Sequence, residues 1–146
     1  EKNYTAALNF INEAKLWPEN LGAGKPYDED IDIRTENWLA YLCYKNLNNT
    51  KAANDMLLAV VNFMPIRSNT ISNFYAGNHL ISLWAYTALN QTSQGMEWIK
   101  KQQAKFPDNK IMQWASSSYQ QKKIQPIAIQ SEDATVRIIK QLSLSK

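Results

Sequence analysis

Histidine and cysteine, the side chains best suited to proton transfer near neutral pH, nucleophilic attack and transition-metal binding, are scarce in this sequence and poorly spaced for it. Among 146 residues there is one histidine, His79, and one cysteine, Cys43. His79 sits in an apolar run with no cysteine or carboxylate at a metal-ligand spacing, so neither a zinc set nor a catalytic triad can be assembled around it. Cys43 lies between Leu42 and Tyr44. A lone thiol there reads as a small packing group, and it cannot form an intrachain disulfide. The segment GAGKP, from Gly22 to Pro26, has the bare amides and lysine of a phosphate cradle. It lacks a preceding strand and the upstream glycine spacing, and Pro26 stands where a serine or threonine would hold magnesium. The acids Asp28, Glu29, Asp30 and Asp32 supply oxygen ligands but not the alternating loop, central glycine and final glutamate of a calcium site. They suit the positive end of a following helix, with Asp30 or Asp32 as its cap. No catalytic, cofactor-binding or metal-binding residue is expected, and the chain reads as non-enzymatic.

The tryptophans are the residues with most to offer a ligand. On an open wall Trp38, Trp84 and Trp114 would present rigid, amphipathic area of the kind that anchors peptides or stacks on sugars. The alternative is that they are core, wedged between helices, which is the usual fate of aromatic stripes at helical spacing.

Composition narrows the partners. Hydrophobic residues make up 45% and there are only four glycines, as in folded helical protein, and the length suits one domain with a real core. The net charge is +3. The most basic region, with Lys100, Lys101, Lys105, Lys110, Lys122 and Lys123, has no interleaved stacking aromatics, so a solvated face is expected and nucleic acid is not. No run approaches the roughly 18 apolar residues of a membrane span, and no signal sequence opens the chain. Glu1 to Trp17 reads instead as the second half of a hairpin, so the chain is expected to be part of something longer.

The elements that would position these residues follow from periodicity. Tyr4 to Trp17 carries Ala7, Leu8, Ile11 and Ala14 at spacings of three and four and stops at Pro18. After a long connection, helices are expected from Ile33 to Leu47 and from Lys51 to Met64, the latter with Ala53, Leu57, Val60, Val61 and Met64 facing inward before Pro65. Asn73 to Leu89 and Gln94 to Phe106 form the next pair, stopped by Pro107. Asp108 and Asn109 then introduce a helix from about Lys110 to Ile124. Ser131 can start a last helix carrying Val136, Ile139 and Leu142 on one side, as a cover for the exposed end of the stack.

The two pairs are copies. Tyr44, Leu47, Asn48, Thr50, Ala53, Leu57 and Pro65 recur 42 positions later as Tyr86, Leu89, Asn90, Thr92, Gly95, Ile99 and Pro107. Asn-x-Thr triplets at Asn3, Asn48 and Asn90 match glycosylation acceptors, yet the last two fall in equivalent turns, and turn chemistry accounts for them.

In both copies the tyrosine lies nine positions before the Ala or Gly, which lies four before Leu57 or Ile99 and twelve before the proline. This resembles the tetratricopeptide repeat, a helix-turn-helix of about 34 residues. Ala6, Phe10 and Pro18 match its second half, so the resemblance covers two and a half repeats, from residue 4 to about 124. It departs where Tyr41 and Leu83 replace a close-packing glycine. PENLGAGKP, from Pro18, is similar to an inter-repeat connection of large bacterial proteins, common in the Bacteroidetes, that join an uncharacterised carbohydrate-enzyme-like domain to C-terminal repeats.

The resemblance implies an all-α, right-handed α-α superhelix of hairpins with a C-terminal capping helix: one domain over 1–146, with a half repeat at 1–18, repeats at 31–65 and 73–107, and a partial repeat and cap at 108–146. It implies a groove lined by the first helix of each pair: Thr35, Trp38, Leu42, Lys45 and Asn46, then Leu80, Trp84 and Thr87, with Trp114 from the third. Lys45 and Asn46 suit a peptide carboxylate, but Thr87 and Ala88 at the equivalent sites leave a carboxylate clamp incomplete. The expected function is a scaffold for a protein or peptide partner. The alternative is an accessory domain of a carbohydrate-active protein, glycan-binding or self-associating. A soluble protein of the bacterial cytoplasm or periplasm is implied.

Overall fold

The computed structural model describes residues 3–16, 31–64, 75–126 and 134–144. Among them every regular element is an α-helix: α1 (Tyr4–Ala14), α2 (Arg34–Asn46), α3 (Thr50–Val61), α4 (Ala76–Ala88), α5 (Thr92–Lys105), α6 (Lys110–Gln120) and α7 (Ala134–Leu144). The GAGKP connection, the acids at 28–30, the connection at 66–72 and the expected cap at 131–133 lie outside the described residues. The chain divides into two compact units, Glu1–Ser68 and Asn69–Lys146.

Local chemistry starts the helices where the sequence placed them. Asn3, Asn49 and Asn109 each turn a side-chain oxygen onto amides of the helix that follows: Ala6 at 3.0 Å, Ala52 at 3.1 Å, and Ile111 and Met112 at 2.9 and 3.1 Å. Each satisfies donors that a helix start leaves without an internal acceptor.

The same left-handed ending closes three helices, α2, α4 and α6, once more than the sequence repeat reveals. Asn48, Asn90 and Lys122 all have positive φ, at 57°, 59° and 52°. In each case the next amide reaches back five residues, Asn49 to the Tyr44 carbonyl, Gln91 to Tyr86 and Lys123 to Ser118, at 2.9, 2.8 and 3.2 Å. The left-handed residue itself donates to Lys45, Thr87 or Tyr119 at 3.2, 3.0 and 3.2 Å. These bonds are those of a Schellman ending, which satisfies the last carbonyls of the helix. Asparagine tolerates that conformation, but lysine does not suit it. Lys122→Gly is therefore expected to raise stability by about 0.5–1 kcal/mol, read as a higher denaturant midpoint at unchanged slope; a lower midpoint would mean that the lysine stem contributes packing there.

In the N-terminal unit α1 and α3 both pack on α2. Leu8 and Ile11 of α1 meet Ala40 and Cys43 of α2, with Tyr4, Ala7, Leu39, Tyr44 and Met56 around them. The thiol is packed as expected, and burial pushes its pKa up. Two expectations fail here. Met64 is 78% exposed because α3 ends at Val61, leaving Met64 off the helix. Phe10, matched in sequence to the 1% exposed Leu57, is 70% exposed. The stripe of α1 that meets α2 runs through Leu8 and Ile11, and at 100° per residue Phe10 points well away from it.

Glu36, in the first turn of α2, is mostly buried, and among the described residues its Oε2 accepts no hydrogen bond. Burial raises its pKa, a backbone hydrogen bond opposes this, Asp32 adds to it and Lys15 lowers it. A carboxyl held above its ordinary value binds its proton more tightly when folded. Its contribution to stability is present below the ordinary value, near pH 4.3, and is lost as pH rises through that value to the raised folded one. Glu36→Gln is thus expected to raise Tm at pH 7 and to leave it unchanged at pH 3; an equal gain at both would point to shape rather than charge.

In the C-terminal unit α4 packs against α5, α6 and α7, and α5 also meets α6. Leu83, Ile99 and Met112 form the centre, with Met96, Trp98 and Tyr119 packed on it. At the crossing of α4 and α5 a Cβ on Gly95 would lie 2.8 Å from the Cβ of Tyr86. The nine-residue spacing of tyrosine and small residue is the signature of this close approach. The last helix, expected over the end of the stack, packs on α4, the first helix of the second pair.

Candidate functional site

With the three left-handed turns as a common origin, positions three residues before them correspond: Lys45, Thr87 and Tyr119. This row of equivalent sequence positions falls on α2, α4 and α6, the helices on which the groove-lining residues were expected.

On α2, Thr35 is buried at 2% exposure, Trp38 and Leu42 are half-buried, and Lys45 and Asn46 are exposed. The Trp38 ring lies against Tyr41 at 4.9 Å, tilted by 40°, and the Lys45 ammonium sits 5.9 Å from the Tyr41 ring on the next turn. The result is a connected indole, phenol and ammonium along one side of α2. Asn46 turns its amide back onto the Leu42 carbonyl at 2.7 Å. Tyr41, read from sequence only as a departure from a glycine position, is the link that holds Trp38 and Lys45 together.

On α4, Leu80 is buried at 1% exposure, Trp84 is half-buried and Thr87 is exposed. The Thr87 hydroxyl donates to the Leu83 carbonyl at 3.0 Å or shares its proton with the Tyr119 hydroxyl of α6 at 2.5 Å, bringing two members of the row together. Tyr119 was missed because the end of α6 keeps the backbone of the turn but not its sequence; aligning Lys122 with Asn48 and Asn90 would have found it.

Trp114 is placed differently. It lies five residues before Tyr119, about 140° around α6, and corresponds to Ala40 and Ser82 rather than to a row member. Its indole N–H donates to the Gln125 carbonyl at 2.7 Å, fastening the chain after α6 onto that helix. Beside it is a cleft of about 360 Å³ lined by Lys110, Gln113, Ser117, Gln121, Gln125 and Pro126. Amides and a hydroxyl dominate this wall. It can exchange hydrogen bonds with a neutral polar solute, and it offers no general base.

His79 is buried at 9% exposure and stacks near Trp98 at 6.4 Å, with Tyr86 on the same indole at 6.2 Å. It belongs to the packing between α4 and α5. Among the described residues there is no group of three or more His, Cys, Asp or Glu able to hold a metal, and no helix long and apolar enough to cross a membrane. The six lysines of the basic region are exposed, with Lys101 paired to Glu97 at 2.7 Å.

No protein-family model, curated protein or solved structure matches this chain.

Proposed function

We propose that this chain is a non-catalytic, tetratricopeptide-like scaffold that binds a protein or peptide segment along the first helices of its hairpins. The observation that carries the reading is the row itself. Three helices, α2, α4 and α6, end in the same left-handed turn, and two of the row positions so defined, Thr87 and Tyr119, are joined by a hydrogen bond between α4 and α6. Side-by-side helices in matched register, as α4 and α6 are within the C-terminal unit, are what a repeat scaffold uses to build a binding wall. Trp38 with Tyr41 and Lys45 on α2 in the N-terminal unit, and Trp84 on α4 in the C-terminal unit, supply the aromatic anchors that concentrate binding energy.

The test is a displayed peptide library panned on the full chain and on Trp38→Ala/Trp84→Ala. Peptides enriched by the first and lost by the second, at equal helical circular dichroism, support the scaffold. Peptides retained equally by both remove these tryptophans from the site, and a double variant that unfolds assigns them to the core.

A second reading has its own observation. The amide-lined cleft beside Trp114 suits the hydroxyl groups of a sugar, as an accessory domain of a carbohydrate-active protein would require. Tryptophan fluorescence that responds to neutral oligosaccharides, and not to peptides, would favour it.

A further inference from the structure

We propose that the cleft beside Trp114 takes an acidic sugar, a uronic acid unit whose carboxylate meets Lys110 and whose hydroxyls bond the amides along α6. The inference rests on the carbohydrate reading of that cleft. It adds the charge of the ligand and the end of the cleft at which that charge binds.

The wall is built on one side of α6. Lys110, Gln113, Trp114, Ser117 and Gln121 share a strip about 16 Å long, and Gln125 and Pro126 close it. The closing segment is fastened: the Trp114 indole donates to the Gln125 carbonyl at 2.7 Å, and the Gln125 amide donates to the Ser118 hydroxyl at 3.0 Å.

The remaining polar groups suit a ligand dense in hydroxyls. Gln113 donates its side-chain amide to the Pro107 carbonyl at 3.1 Å, and Gln125 donates its own to the Lys123 carbonyl at 3.0 Å. Both Oε1 atoms are thereby left to accept. Among the described residues the Ser117 hydroxyl and the Gln121 amide make no hydrogen bond within the protein, so each can give and receive one.

Lys110 supplies the charge. It alone is charged among the described residues that line the cleft, and none of those described is a carboxylate partner to it. A cation in the first turn opposes the dipole of α6, so helix stability does not account for it. An anion there is favoured by the ammonium and the helix end together. Asn109 already occupies the Ile111 and Met112 amides, which leaves the ammonium to meet it.

The count of charges selects the ligand. One cation along the whole strip matches one carboxylate amid neutral hydroxyls, whereas a nucleic-acid strand would set a phosphate against amides at every nucleotide. A peptide would need an apolar pocket for an anchoring side chain, and the indole here is only 5% exposed.

The probes are trisaccharides of galacturonic, glucuronic and mannuronic acid, each beside its methyl ester, titrated calorimetrically into the full chain. At least one acid is expected to bind tenfold or more tightly than its ester. Lys110→Gln, a change at an exposed residue, should remove that difference and leave ester binding intact, and Gln121→Ala should weaken acid and ester alike. Acid and ester that bind equally overturn the charge assignment and leave the carbohydrate reading standing; if neither acids nor esters bind, both fall. A preference that survives Lys110→Gln puts the carboxylate on another lysine, and an acidic peptide that displaces the sugar with equal affinity makes the cleft a peptide site. Either result overturns the proposal.

Discussion

Arg34→Ala is expected to cost about 3–5 kcal/mol of stability, the loss that follows when a buried ion pair is left with one member. Asp32 and Arg34 flank the start of α2, with the guanidinium Nε and Nη2 on the two carboxylate oxygens at 2.8 and 2.6 Å. Their side chains are 8% and 6% exposed. The Asp32 carboxylate also accepts the Arg34 backbone amide at 3.3 Å, and the guanidinium lies over the Phe63 ring at 4.9 Å. Removing the arginine strands a carboxylate where water cannot replace two charge-assisted bonds, and it uncovers the phenylalanine face. Replacing both partners together, as Asp32→Leu with Arg34→Met, is expected to be much less damaging, because no buried charge remains. Urea unfolding followed by circular dichroism measures both variants. If Arg34→Ala lost less than about 1 kcal/mol, in the range of exposed pairs, the pair would have to be solvated.

The second large effect is expected from Ile99→Ala, at about 2–5 kcal/mol. Ile99 is 0% exposed and packs with Leu83 and Met112, so it joins α5 to both α4 and α6. Deleting its side chain removes dispersion contacts to both α4 and α6, and a rigid crossing next to Gly95 leaves the neighbours little room to close the gap. Thermal unfolding of Ile99→Ala beside Ile99→Val separates the contributions: the valine variant should lose about 0.5–1.5 kcal/mol. An alanine variant no worse than the valine one would mean that α5 and α6 collapse onto the vacated space.

Much of the fold was legible because it is encoded locally. Asparagine caps, prolines after helices and the Asn-Asn-Thr and Asn-Gln-Thr turns each act within a few residues, so their sequence signals survive without any tertiary information. The third turn was hidden for an equally local reason. Lys122 adopts the same φ as Asn48 and Asn90 because two backbone hydrogen bonds hold it there, and backbone geometry leaves no mark on residue type when a strained side chain is tolerated. The Asp32–Arg34 pair was hidden too: the acid was read as a cap, and a spacing of two does not announce a buried bidentate contact.

The candidate site divides in the same way. Trp38, Lys45 and Thr87 could be placed on first helices from the 42-residue repeat, whereas the ring of Tyr41 between Trp38 and Lys45, and the Thr87–Tyr119 bond, depend on which side chains meet. Trp114 shows the limit: its residue type suggested the groove, but its register puts it beside the amide-lined cleft.

By itself, then, the sequence determined the helices and the repeated hairpin, since hydrogen bonds and steric limits on φ act between near neighbours, but not every end: α3 stops at Val61 rather than Met64, and α6 at Gln120 rather than near Ile124. Tertiary structure decided that Met64 is exposed, that Tyr86 meets Gly95 without a Cβ between them, and that α7 rests on α4 through Thr135 and Gly77. An amphipathic face states that something must cover it, but apolar burial has no direction of its own. The covering partner is chosen by shape and by unmet hydrogen bonds between residues 58 positions apart, such as the Gly77 amide and the Thr135 hydroxyl.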